Sequence, residues 1–134
     1  MITEKESRYL LKIYESYLQG MSSVGPQYMA EEMYVKRPSA YEVLQKLAKK
    51  GLLVKRRGKY SLTEDGIRLA EKILRSHRII ETMLYRAGVD LEKACECATK
   101  IQDKVDDDII DKLCAYLGYP KTCPHGRPIP EVKK

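Results

Sequence analysis

The chain has 134 residues, 43% hydrophobic and 33% charged, which is material for one compact domain or a small module with a helical extension, not for a disordered chain. No apolar run approaches the ~20 residues a membrane span requires, and Met1-Ile2-Thr3-Glu4-Lys5-Glu6 lacks the apolar core of a signal peptide, so a cytoplasmic protein with no membrane contact is expected. The net charge of +6 is concentrated: Lys36 to Lys59 holds nine Lys or Arg and one acid, which points to a polyanion partner.

In chain order, Tyr9, Leu10, Ile13, Tyr14 and Tyr17 recur at helical spacing and predict a first helix from about Thr3 to Gln19, closed by Gly20. Pro26 suits a first helical turn, and Tyr28, Met29, Ala30 and Met33 give a short second helix. Tyr34-Val35-Lys36 reads as a tight turn. Pro38 opens a third helix whose buried face is Ala40, Val43, Leu44, Leu47 and Ala48, ended by Gly51. Leu52 to Arg56 and Tyr60-Ser61-Leu62 read as two strands around an Arg57-Gly58-Lys59 turn, a wing beside a helix-turn-helix.

Thr63, followed by Glu64 and Asp65, is an N-cap for a long helix running to about Ala87. Gly88 ends it, Asp90 caps a helix from Leu91 to about Val105, and a last helix covers Asp106 to Leu117 before a Pro-rich tail. Asp106-Asp107-Asp108 is explained by capping and the helix dipole rather than by metal. The expected fold class is mainly α with a small β wing. A winged helix-turn-helix in residues 1–63 is followed by a helical region in residues 64–134.

A recognition helix presents polar groups to the major groove from its N-terminal part. The outward candidates are Arg37, Ser39, Tyr41, Glu42, Gln45 and Lys46: Arg37 for guanine or phosphate, Ser39 for phosphate, Gln45 for adenine. Tyr41 has two readings, contact with DNA or packing against the wing. Lys55, Arg56, Arg57 and Lys59 on the wing suit phosphate or minor-groove contact. The competing reading is a winged scaffold for protein contact. The sequence offers no nucleophile with its base, no phosphate-cradling glycine loop and no paired catalytic acids, so no enzyme is expected.

The segments Met29-Ala30-Glu31-Glu32-Met33, Val35-Lys36-Arg37-Pro38-Ser39, Leu44 to Leu52 and Leu62-Thr63-Glu64-Asp65-Gly66 together resemble the diphtheria toxin repressor family of metalloregulators. So do His77-Arg78-Ile79-Ile80-Glu81, Leu117-Gly118-Tyr119-Pro120 and Cys123-Pro124-His125-Gly126-Arg127-Pro128-Ile129-Pro130. The resemblance implies a homodimeric repressor that binds a palindromic double-stranded operator in response to a divalent transition metal. With the sequence stopping at Lys134, it implies the shorter manganese-regulator type, without an SH3-like third domain.

Carried over residue by residue, the family's ligand positions on the first helix fall on Arg8 and Leu11, and two on a later helix fall on Thr99 and Gln102. None of these suits a cation. Asp103, at a histidine position, can still ligate, but one carboxylate does not make a site. The second cluster keeps more: His77 and Glu81 lie one turn apart, and Cys95 falls where the iron-type members place another ligand. Histidine, glutamate and thiolate suit Zn²⁺, and less well Fe²⁺, Co²⁺ or Mn²⁺. A surface ion pair between His77 and Glu81 is the plain alternative. Cys123 and His125, separated by one proline, could chelate a metal weakly, but the resemblance places them in a structural tail. All four cysteines lie in the last third without a CxxC pair, so reduced thiols are expected. Cys95 and Cys97 then offer an alternative control, by oxidation rather than metal.

Overall fold

The apolar spacings of the first fifty residues become three helices in the computed structural model, which describes residues 2–131: α1 (Glu4–Leu18), α2 (Pro26–Met33) and α3 (Arg37–Lys49). A hairpin follows, β1 (Leu53–Arg56) and β2 (Lys59–Leu62), then α4 (Glu64–Arg86), α5 (Leu91–Ile101) and α6 (Asp107–Tyr116). The protein is mainly helical with a two-stranded antiparallel wing. It forms two units, one of Lys5–Ala70 and one of Glu71 onward with the residues up to Glu4, so the division falls inside α4. Among the described residues no helix is long and apolar enough to cross a membrane.

In the first unit Tyr9, Leu10, Ile13 and Tyr14 of α1, Met29 and Ala30 of α2, and Ala40, Val43, Leu44 and Leu47 of α3 are buried. Helix α2 ends with Tyr34 in the left-handed conformation at φ 56°, while the Val35 N–H donates to Ala30 O at 3.0 Å. This is a helix stop of the kind glycine usually makes, and it turns the chain sharply into α3. Glu6, buried in the middle of this apolar face, accepts from Lys50 Nζ at 2.5 Å. Sequence periodicity carries no signal for that pair, because its members are far apart in the chain.

The hairpin pairs Arg56 with Lys59, Lys55 with Tyr60, Val54 with Ser61 and Leu53 with Leu62. Its turn has two residues rather than the expected three: Arg57 and Gly58 both have positive φ, 52° and 76°, and Lys59 already belongs to β2. Two left-handed residues match the right-handed twist of the strands, and glycine makes the second of them cheap. Val24 adds a one-residue third strand, exchanging backbone hydrogen bonds of 2.9 and 2.8 Å with Tyr60. Thr63 caps α4 as expected: its Oγ1 accepts from the Gly66 N–H at 3.0 Å and donates to Gly51 O at 2.7 Å.

In the second unit Ile79, Ile80, Ala98, Ile110, Cys114, Leu117, Cys123 and Ile129 form the core, so the tail closes it along with the three helices. Helix α5 ends at Ile101, four residues before the expected limit. Ile101 and Val105 both pack against this core, so the apolar spacing runs on across the break and hides it. Asp90 and Asp106 occupy the N-cap positions as expected, but neither side chain makes a capping hydrogen bond. Their helices have acids in the first turn instead, Glu92 in α5 and Asp107 and Asp108 in α6, which favour the positive end of the helix dipole.

Candidate nucleic-acid interface and metal centre

Helix α3 buries Ala40, Val43, Leu44 and Leu47, which leaves Arg37, Ser39, Tyr41, Glu42, Gln45 and Lys46 exposed together with the wing residues Lys55, Arg56, Arg57 and Lys59. Tyr60, wholly buried on β2, donates its hydroxyl to Gln45 Oε1 at 2.6 Å. Lys55 Nζ stands 5.2 Å from the centroid of the Tyr41 ring and 5.7 Å from that of Tyr60, within cation–π range of both. Tyr41, Gln45 and Lys55 are therefore joined through a residue that carried no signal beyond strand spacing. The packing reading of Tyr41 is present, and its ring remains 42% exposed.

The cations of this surface differ in their partners. Lys50 is bound to Glu6, and Lys46 Nζ lies 3.7 Å from Glu42 Oε1. The Lys59 stem crosses Gly25, where an added Cβ would lie 3.4 Å from Nζ. Arg37, Lys55, Arg56, Arg57 and Lys59 form no ion pair among the described residues. Unneutralised cations on one helix and its adjoining hairpin repel one another, a cost that a polyanion would relieve.

The second group of candidates meets in the other unit. His77 and Glu81 lie one turn apart on α4, with side chains 14% and 1% exposed, so this is not a surface ion pair. Cys95 on α5 brings its Sγ to 3.7 Å from His77 Nε2. Suitable atoms of His77, Glu81 and Cys95 all lie within 4.8 Å of one another, and so do those of Glu81, Cys123 and His125. His125 Nδ1 is 3.1 Å from Glu81 Oε1. The tail makes this possible by a tight turn in which the Cys123 N–H donates to Arg127 O and the Gly126 N–H to Cys123 O, each at 2.8 Å, with Gly126 at φ 82°. The Arg78 guanidinium ties the same turn to α4 through Pro128 O.

Hydrogen bonding fixes which atoms face the centre. Gln102 is 2% exposed, and its Oε1 lies 2.9 Å from His77 Nδ1, so Nδ1–H donates to it and Nε2 keeps its lone pair. Glu81 Oε2 is buried without a hydrogen bond, and that Nε2 is 3.4 Å away. The protonated Cys95 thiol can donate to one of these two acceptors, and the other stays unfavourable away from water unless a further proton or a cation meets it. Burial lowers the His77 pKa from its ordinary 6.5, so the imidazole is neutral and ready to ligate. Burial, then Glu81, pushes the Cys95 thiol up to about 11, so a cation binding there displaces a proton. The donor set of imidazole nitrogen, carboxyl oxygen and thiol sulfur fits a borderline-soft divalent ion such as Zn²⁺. A cleft of about 510 Å³, lined by Asp90, Leu91, Glu92, Cys95, Glu96, Thr99 and His125, opens beside it.

Asp103 is in neither group; it lies in the turn after α5, its Oδ1 3.4 Å from Lys104 Nζ. The positions without ligand character have other contacts. Arg8 is exposed, Leu11 is in the apolar face of α1, and Thr99 Oγ1 donates to Cys95 O at 2.9 Å. Sequence reasoning missed the convergence of Cys123 and His125 on Glu81, and the orienting part played by Gln102. The sole local hint was the Cys-Pro-His-Gly turn.

Comparison with known proteins divides the chain just after the wing, ahead of the structural division inside α4. Residues 1–59 match the family model described as iron dependent repressor, N-terminal DNA binding domain, and residues 63–131 match iron dependent repressor, metal binding and dimerisation domain. An HTH-type transcriptional regulator of Aeropyrum pernix is 34% identical over 95 residues, covering 69% of this chain and 52% of that protein. A hypothetical protein of Sulfolobus solfataricus with a crystal structure is 32% identical at a TM-score of 0.80, covering 97% of this chain and 100% of that one. The manganese regulator SloR is 31% identical at a TM-score of 0.84, covering 96% of this chain and 60% of that one. The chain spans about half the length of the curated relatives it matches, from 52% to 58%.

Proposed function

This chain belongs to the iron-dependent repressor family, and on that basis we propose that it is a transcription repressor whose hold on a palindromic operator is set by a divalent transition metal. It is a regulator, not a catalyst, and acts as a homodimer that presents two copies of α3 to half-sites one or more DNA turns apart. The basic face of Arg37, Ser39, Tyr41, Gln45 and Lys46 with wing residues Lys55, Arg56, Arg57 and Lys59 meets the duplex, with Arg56 and Arg57 on phosphate.

The observation that carries the metal reading is Glu81: a carboxyl 1% exposed, with one oxygen lacking a hydrogen bond and set beside His77 Nε2. The residues that would hold the ion are His77, Glu81 and Cys95, with Cys123 and His125 offering a second approach to the same carboxyl. A bound cation supplies positive charge to a buried carboxyl and to the thiolate it displaces from its proton. The chain's own part is to keep His77 in one tautomer through Gln102, to keep water away from Glu81, and to bring α4, α5 and the tail to one point. Metal would thus fix how α4 packs on α5.

Fluorescence anisotropy of a labelled genomic duplex pool, titrated with protein in chelator and then in Zn²⁺, Mn²⁺ or Fe²⁺, tests this directly. At least tenfold tighter binding with one of the ions, lost in Glu81→Gln, is expected; affinity indifferent to chelator and to all three ions sinks it. Control by oxidation is the weaker reading. The Cys95 thiol is pushed away from the thiolate that oxidants attack.

A further inference from the structure

Within that reading, the structure points to Glu42 as the residue that selects a base. We infer that its carboxylate accepts a hydrogen bond from the exocyclic amine of a cytosine in the major groove of each half-site.

Glu42 is the one acid among nine cations between Lys36 and Lys59, and it stands in the second turn of α3 with its side chain 70% exposed. Residues three and four apart share a helix face, so Pro38, Ser39, Gln45 and Lys46 are its neighbours there. This is the middle of the outward surface, not its rim. A carboxylate so placed is repelled by phosphates on both sides of the groove, which costs affinity for every sequence unless a donor awaits it.

Its present contacts do not account for it. Lys46 Nζ is 3.7 Å away, an exposed one-turn pair that contributes little, and Glu42 accepts no hydrogen bond among the described residues. Gln45, the expected base reader, already has its Oε1 engaged by the Tyr60 hydroxyl. The two-point contact with adenine needs the amide oxygen and nitrogen together, so Gln45 is better described as part of the link between α3 and the wing. Tyr41 is partly covered by Lys55. That leaves Glu42 as the residue on this face whose acceptor atoms receive no hydrogen bond among the described residues, with only the exposed Lys46 ammonium near Oε1.

The chemistry then selects the base. Guanine and thymine present acceptors at the centre of the major-groove edge, which repel a carboxylate. Adenine offers its N6 amine beside the N7 acceptor, so one carboxylate oxygen gains and the other loses. Cytosine offers the N4 amine with no acceptor of its own next to it, and is favoured. Lys46 stands close enough to offset part of the repulsion between Glu42 and the backbone.

Selection of binding sites from a randomised duplex library, using the full chain with the activating ion, tests this by comparing the wild type with Glu42→Ala and Glu42→Gln. Both variants change an exposed side chain, and unaltered circular dichroism verifies the fold. The wild type is expected to enrich cytosine about tenfold at one fixed position of each half-site. E42A should lose that preference to within about twofold, keep the remaining consensus, and bind unselected duplex at least as tightly as the wild type. E42Q should shift the position towards adenine. If Glu42 only holds Lys46, E42A would change affinity for all sequences alike and leave the consensus intact, which overturns the inference. A wild type that binds no duplex overturns the DNA-binding reading together with it, and one that binds duplex without selecting any sequence overturns the inference alone.

Discussion

Glu81 is a buried acid whose surroundings argue for a cation, and its neighbours set a pH dependence that the metal-free protein should display. Burial holds the His77 pKa below its ordinary 6.5, so below that pH the unfolded chain takes up a proton that the folded one refuses, and stability falls. Cys95 works in the opposite sense. Its folded value is about 11 against an ordinary 9.0, so its contribution is complete below pH 9 and is lost as pH rises towards 11. Thermal melts in chelator should therefore give a plateau between about pH 6.5 and pH 9, with both edges falling. His77→Gln should flatten the acid edge and Cys95→Ser the alkaline one; edges that survive these substitutions would contradict the assignment. Because Cys95 must lose its proton to ligate, metal affinity should rise with pH across the same window.

At the scale of elements, the junction between wing and long helix depends on backbone approaching backbone. A Cβ added at Gly66 would lie 2.1 Å from Leu52 O, and that carbonyl already accepts the Thr63 N–H at 3.1 Å. No side-chain movement relieves such a clash. Gly66→Ala should cost about 1–3 kcal/mol or more, the range of overpacked sites, read as a lower urea midpoint. Gly58→Ala, in open space but at φ 76°, should cost about 1 kcal/mol from backbone strain alone. Equal effects from the two substitutions would mean that the Leu52 contact is not tight. Most of these elements were legible: caps, prolines and glycines act within a few residues, so Thr63, Pro26 and Gly58 announce their turns. The end of α5 was not, because Ile101 and Val105 keep helical spacing across it.

For the whole molecule, the basic surface makes a prediction that does not depend on which operator is bound. Each phosphate neutralised by Lys or Arg releases counterions, so log K for duplex DNA should fall linearly with log salt concentration. Arg56→Ala and Arg57→Ala should each reduce that slope by about 0.9 and weaken binding to all sequences alike. An unchanged slope in both would remove the wing from the phosphate backbone. Tyr60→Phe should differ from these, because it leaves the charge intact and releases Gln45.

The sequence by itself determined the helices, the wing, the basic face and, by resemblance, the family, because those features are written in spacings of two to four residues and in local charge. The resemblance alone grouped His77, Glu81 and Cys95 beforehand, and only the tertiary structure decided that these donors meet and that Cys123 and His125 join them at Glu81. Cys95 lies 18 positions from His77, and His125 lies 44 from Glu81; no periodicity reaches across such intervals. The same limit hid Tyr60 behind Gln45, 15 positions away, and Gln102 behind His77, 25 away. Local sequence specifies which faces are apolar, whereas packing those faces decides where the polar groups between them converge.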